Sequence, residues 1–238
     1  MVEFGVLQSE KVLWEVATLT GKDLQNVPLF KDLLPPEIEK FMKFTGTTVK
    51  SYPRGERVLE AFAPNANIGV IISGEAQLLT LDRLGNEAVG HALESGAMFG
   101  TVSAILGEDL VATSVQLTTD ATIMWIPYRS LLIAGPALGR THGIVMKNFL
   151  ETFSRKNVLM MQKVELLSQK NLREKIILYL LQRERRQGTE FVKVPRRVHF
   201  AKELECNRSA LTREISQMQA DGLVECGDNW MRLNKDKL

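Results

Sequence analysis

Phe200-Ala-Lys-Glu-Leu-Glu-Cys-Asn-Arg-Ser-Ala-Leu-Thr-Arg-Glu-Ile-Ser-Gln-Met-Gln-Ala-Asp-Gly-Leu223 has the form of a helix, a break and a second helix. An apolar-spaced segment ends at Leu204, and Glu205-Cys206-Asn207 interrupts it. The second helix is expected from Arg208, because the Asn207 side chain can accept a hydrogen bond from an orphan N–H of the first turn. Gly222 supplies the stop. Leu211, Ile215 and Met218 recur at i, i+4 and i+7, which predicts an inward apolar face. Arg208, Ser209, Thr212, Arg213 and Ser216 are left for the outer surface. Arginines among small hydroxyl residues suit the major groove of DNA, where a guanidinium can pair bidentately with guanine. An ordinary solvated amphipathic helix is the competing reading of this stretch alone.

Beyond the helix, Leu223-Val-Glu-Cys226 and Trp230-Met-Arg-Leu233 are strand-like runs joined by Gly227-Asp228-Asn229, a turn composition. Helix, helix and hairpin in that order predict a winged helix-turn-helix. Upstream, Glu190–Pro195 reads as a short strand and Asn171–Arg186 as a helix capped by Ser168. A longer helix is expected over about residues 141–167, with Ile144, Phe149, Phe153, Met160, Val164 and Leu167 on or near one face. At roughly 40 Å it would outreach a small domain, so its expected partner is a second copy of itself.

The middle of the chain changes character at Thr47. Glycines at 55, 74, 85, 96, 100 and 107 punctuate short β-rich runs, expected as strands at 68–72, 76–81, 88–93, 112–117 and 121–126. Arg83-Leu84-Gly85-Asn86 reads as a hairpin tip, and Pro127 closes the β region. Such spacing predicts a barrel, sandwich or roll. Before it, Lys11–Val16 and Pro28–Met42 read as helix, with a fresh start at Pro35-Pro36.

The 238 residues suffice for two modest domains, and 45% hydrophobic with 24% charged residues describe a soluble globular chain. No apolar run approaches the roughly 20 residues a membrane helix needs, and the first residues lack a secretory pattern, so a cytoplasmic protein without membrane contact is expected. Residues 168–238 carry a net charge of +5 and the remainder −3, an asymmetry suited to a nucleic-acid module attached to a mildly acidic body. Two cysteines and three scattered histidines give no metal-ligand spacing. With no nucleophile–base pair, carboxylate dyad or phosphate-binding glycine loop, neither an enzyme nor a bound cofactor is expected.

Glycine-punctuated β-roll, long helix and winged helix-turn-helix, in this order, resemble the Crp/Fnr family of bacterial transcription regulators. The landmarks are Tyr52-Pro-Arg-Gly-Glu-Arg-Val-Leu59, Ile72-Ser-Gly-Glu-Ala76, Gly96-Ala-Met-Phe-Gly100, Leu172-Arg-Glu-Lys-Ile176 and Cys206-Asn-Arg-Ser-Ala-Leu-Thr-Arg213. The resemblance implies an α+β chain in three parts. Residues 1–139 form an effector-sensing, cyclic-nucleotide-binding-like β-roll with N-terminal helices, 140–167 a dimerisation helix and 168–238 a DNA-binding winged helix-turn-helix. It implies a palindromic double-stranded DNA site, a homodimer and RNA polymerase as partners, with a small-molecule effector still to be identified. It places the DNA contacts on Asn207, Arg208, Ser209, Thr212 and Arg213, Ser209 standing where a base-reading glutamate is found in cyclic-AMP-responsive members.

The effector pocket implied by the same register comprises Phe99, Gly100, Thr101, Val111, Ala112, Met160 and Met161. Thr101 takes the place of the ribose-binding glutamate, Val111-Ala112 that of the phosphate-binding Arg-Ser, and the two methionines that of the hydroxyl residues meeting the adenine. A cyclic phosphate would there lack charge pairing and bidentate hydrogen bonds, so cyclic AMP is not expected to bind. A more apolar ligand, a side-chain-filled pocket and ligand-independent action stay open. So do a thiol response at Cys206 or Cys226, haem on His91, and a ligand-binding subunit whose helix-turn-helix contacts protein only.

Overall fold

The structure is a computed structural model that describes residues 19–82, 86–107 and 111–238. Contacts divide the chain into two compact units, Met1–Thr152 and Phe153–Leu238. The boundary falls inside one continuous helix, α6 (Arg140–Leu167).

The first unit opens with α1 (Gly21–Leu24), a 3-10 turn at Pro28–Phe30 and α2 (Pro35–Thr45). The helix expected from Pro28 therefore begins only at Pro35. A residue before proline is driven out of the α region, and Leu34 is extended at φ −84°, ψ 151°. The helix expected at Lys11–Val16 lies outside the described residues.

Eight strands follow, β1 (Thr48–Tyr52), β2 (Arg57–Leu59), β3 (Asn67–Ser73), β4 (Ala76–Leu81), β5 (Glu87–Leu93), β6 (Met98–Phe99), β7 (Thr113–Leu117) and β8 (Ala121–Pro127), with α3 (Thr101–Leu106) between β6 and β7. They form two four-stranded antiparallel sheets, ordered β1-β8-β3-β6 and β2-β7-β4-β5. The five strands expected from the sequence are all present within a residue or so. Three were missed, β1, β2 and β6, the last two being only three and two residues long. Of the expected hairpin tip, residues 83–85 lie outside the described residues, while Leu81 pairs with Glu87 across it.

Strands β3 and β8 are buried on both faces. Ile68, Val70, Met124 and Ile126 join a core with Leu24, Phe30, Ile38 and Phe41 from the N-terminal segment. Ile71, Ala121 and Ile123 point the other way, into a second core with Leu59, Phe99, Val115 and Leu117. Their sequences accordingly run apolar without alternation, as strands covered on two sides do. Gly69 is required between them, since a Cβ there would fall 2.3 Å from the Phe99 ring.

Two short helices, α4 (Tyr128–Ile133) and α5 (Gly135–Leu138), lead into α6. Near its start α6 is pinned to the first unit by buried Val145 and Phe149, and by the Asn148 amide, which donates to the carbonyls of Leu29 at 3.0 Å and Lys31 at 2.7 Å. The seam expected along this helix is divided along its length into a buried and an exposed stretch. Ile144 and Phe149 serve the core of the first unit, whereas Phe153, Met160 and Val164 are exposed.

The second unit continues with α7 (Leu172–Gln187), β9 (Val192–Lys193), α8 (Arg197–Glu203), α9 (Arg208–Ala220), β10 (Val224–Cys226) and β11 (Trp230–Leu233). The cap of α7 is Asn171, whose side chain accepts from Glu174 N at 2.9 Å, and not Ser168. Ser168 instead donates to Val164 O at 2.8 Å, which ends α6. The strand expected at Glu190–Pro195 shortens to β9, and the three strands make an antiparallel sheet ordered β10-β11-β9. The core joins all three helices to this sheet through Ile176, Leu180, Phe200, Leu204, Leu211, Ile215, Met218, Val224 and Met231.

Candidate nucleic-acid interface and sensor region

Helix α9 is set by its ends as the sequence predicts. Asn207 Oδ1 accepts from Ala210 N at 2.7 Å and from Ser209 Oγ at 2.9 Å. At the other end Gly222 takes φ +68°, Leu223 N donates to Met218 O at 2.8 Å and Gly222 N to Gln219 O at 2.9 Å. That is the paired carbonyl closure a left-handed glycine permits. Leu211, Ile215 and Met218 are buried and Asn207, Arg208, Ser209, Thr212, Arg213 and Ser216 exposed. Replacing Asn207 by alanine is expected to cost about 1 kcal/mol of stability, measured by urea unfolding.

Arg208, Ser209, Thr212 and Arg213 line one open depression on this face. Thr212 Oγ1 donates to Arg208 O at 2.9 Å and Ser216 Oγ to Thr212 O at 3.1 Å, so both hydroxyls are held against the helix with lone pairs outward. Neither Arg208 nor Arg213 forms an ion pair with a described residue. Other arginines of the same unit do. Arg173 binds Glu214 and Asp221, each at 2.7 Å, Arg183 binds Glu203 at 2.9 Å, and Arg232 binds Glu225 at 2.5 Å. Two exposed guanidinium groups, uncompensated among the described residues, thus share one face of one helix.

Sequence reading missed what aims that face. Arg173, at the start of α7, ties the middle of α9 through Glu214 and its C-terminal end through Asp221. The motif containing it was visible, but nothing in a linear sequence marks carboxylates 41 and 48 residues away as its partners. On the opposite side Tyr179 packs on Phe200 with ring centroids 4.5 Å apart, and the Arg183 guanidinium lies 4.7 Å from the Tyr179 ring centre. Burial pushes the Tyr179 hydroxyl well above the usual tyrosine range. Cys206 and Cys226 are free and partly buried, and burial raises both thiols. Raised thiols carry less of the reactive thiolate.

In the first unit, Phe99, Gly100 and Thr101 form the β6–α3 junction, and Val111-Ala112 leads into β7. Phe99 and Thr101 are buried. Asn65 fastens the junction, its amide donating to Gly100 O at 3.0 Å and to Ser103 Oγ at 2.9 Å. Val111 O accepts from Phe62 N at 3.1 Å and Ala112 O from Leu81 N at 2.8 Å. None of these five residues is charged. An aromatic trio was not foreseen, Trp125 Nε1 donating to Tyr52 Oη at 2.8 Å while its ring meets Phe99 edge-on at 5.3 Å. Met160 and Met161 belong to the second unit, where both are exposed. His91 stands exposed on the edge strand β5. Among the described residues no three His, Cys, Asp or Glu side chains gather where they could hold a metal ion, and no helix is long and apolar enough to cross a membrane.

Residues 49–133 match the cyclic nucleotide-binding domain family. The chain as a whole is similar in fold to the catabolite activator protein of Thermus thermophilus, with 22% identity, 87% of this chain and 94% of that one covered, and a TM-score of 0.51. It is similar to the c-di-GMP responsive global regulator CLP of Xanthomonas campestris, at 18% identity, 83% and 98% coverage and a TM-score of 0.54. To CprK complexed with OCPA it is similar at 11% identity, 83% and 88% coverage and a TM-score of 0.58. No curated protein sequence matches it significantly. The class is therefore an α+β chain with a cyclic nucleotide-binding domain followed by a long helix and a C-terminal helical unit. The resemblance to Crp/Fnr regulators holds at the level of fold.

Proposed function

We propose that the chain is a homodimeric, sequence-specific DNA-binding transcription regulator of the Crp/Fnr type, not an enzyme, acting in the cytoplasm together with RNA polymerase. The observation that carries this reading is the outer face of α9, where Arg208 and Arg213 are exposed and unpaired among the described residues, beside Ser209 and Thr212. Side chains kept free of carboxylates are available for base edges and phosphates. The exposed apolar face of α6 supports pairing with a second copy, which would present two recognition helices to a two-fold site. Selection from random duplexes tests it. A palindrome with half-sites about 34 Å apart is expected, and enrichment of no two-fold motif would count against it.

The sensor region is not built for cyclic AMP. Thr101, Val111 and Ala112 offer neither a carboxylate for a ribose nor a cation for a phosphate. A ligand at a hundred times its dissociation constant stabilises by about 2.7 kcal/mol. Cyclic AMP at millimolar concentration is expected to leave the thermal unfolding midpoint unchanged. A rise of several degrees would show that other residues supply the missing charge.

A further inference from the structure

The exposed face of α6 follows a strict pattern. Leu150, Phe153, Asn157, Met160, Val164 and Leu167 alternate three and four residues apart, the spacing of a coiled-coil seam. Leu150, Phe153, Met160 and Val164 are 57%, 36%, 54% and 66% exposed. These are unusually high values for large apolar side chains that share one helix face. Asn157 sits at the centre of this stripe, exposed and without a hydrogen bond to any described residue.

We infer that Asn157 is the specificity residue of this helix, selecting a parallel, in-register pairing with a second copy of the chain in which the two Asn157 amides meet. The inference rests on the dimer reading above and adds its orientation and register. In that alignment Asn157 faces its own counterpart and the two amides satisfy each other, as a single core asparagine does when it fixes register. The flanks agree on charge. Lys156 and Lys163 line one edge of the stripe and Met161 and Ser168 the other, and Lys163 is held within its own chain by Glu203 O at 2.5 Å and Glu205 at 3.8 Å, so parallel pairing sets Lys156 against an uncharged edge. Antiparallel pairing buries the amide against an apolar side chain, where its hydrogen-bonding groups go unmatched. A register slip by one heptad leaves each amide facing Leu150 or Val164. Each alternative is penalised by the same side chain.

The test uses full-length protein with complementary charges at one position. Asn157→Asp alone and Asn157→Lys alone each place like charges face to face, and each is expected to raise the dimer dissociation constant on the order of a hundredfold. An equimolar mixture of the two is expected to recover the dimer as a heterodimer, read by sedimentation equilibrium with circular dichroism as a control for folding. Asn157 is solvent-exposed in the single chain, so both variants retain the fold. If the unsubstituted protein is dimeric but the single variants stay dimeric, or the mixture fails to restore association, the inference is overturned and the dimer stands. If the unsubstituted protein is monomeric at all concentrations, the dimer reading itself falls.

Discussion

Alanine at Arg208 or at Arg213 is expected to lower affinity for the selected duplex by about ten- to a hundredfold each, the equivalent of roughly 1–3 kcal/mol for a lost bidentate base contact. Together the two substitutions are expected to leave little distinction between the selected duplex and a scrambled one. Stability should stay within about 0.5 kcal/mol, because both side chains are exposed and bear no ion pair among the described residues. Fluorescence anisotropy at several salt concentrations separates the roles. Loss confined to the selected duplex marks a base contact, whereas equal loss on every duplex with a shallower salt dependence marks a phosphate contact. Should both variants bind the selected duplex like the parent, α9 is not the reading element and the protein-contact alternative gains.

Alanine at Phe200 is expected to destabilise the second unit by about 3–5 kcal/mol. Phe200 is fully buried on α8, packed at a tilt against Tyr179 of α7 and sharing one core with Leu211 and Ile215 of α9. Its removal leaves a cavity where three helices meet, and close-packed interiors relax only partly around such a void. A loss of this size is a large fraction of a small domain's stability. Urea unfolding should show the midpoint falling, and specific DNA binding should weaken in parallel because α9 loses its support. A loss below about 1 kcal/mol would mean that the helices do not pack around this ring.

Helix α9 was legible in the sequence almost to the residue, because its signals are local. An asparagine cap, a terminal glycine and an i, i+4, i+7 apolar set are all written within one short segment. The β-roll was legible as a class from its glycine spacing, yet β2 and β6 escaped, since strands of three and two residues carry no period. Ser168 was misassigned as a cap because a serine before a helix can serve either element, and here its hydroxyl closes α6. The long helix itself was legible, whereas the division of its apolar positions was not. Ile144 and Phe149 look in sequence like the exposed positions that follow them, and only the packed first unit tells them apart. The Arg173 clamp depends on residues brought near by the fold and could not be read in advance.

Cys206 and Cys226 stand just before α9 and in the hairpin, where packing is the expected use of a free cysteine and a thiol response the open alternative. Burial raises both thiols, and both pack against the core of the second unit. Packing is the use the structure supports.

The most direct test of the central claim is the stoichiometry and specificity of full-length protein on the selected duplex, measured by sedimentation together with anisotropy at fixed salt. Two chains per duplex are expected, with affinity at least about a thousandfold above that for a scrambled duplex and sharply reduced when one half-site is scrambled. Equal affinity for selected and scrambled duplexes would contradict a sequence-specific regulator, and one chain per intact site would contradict a dimeric one.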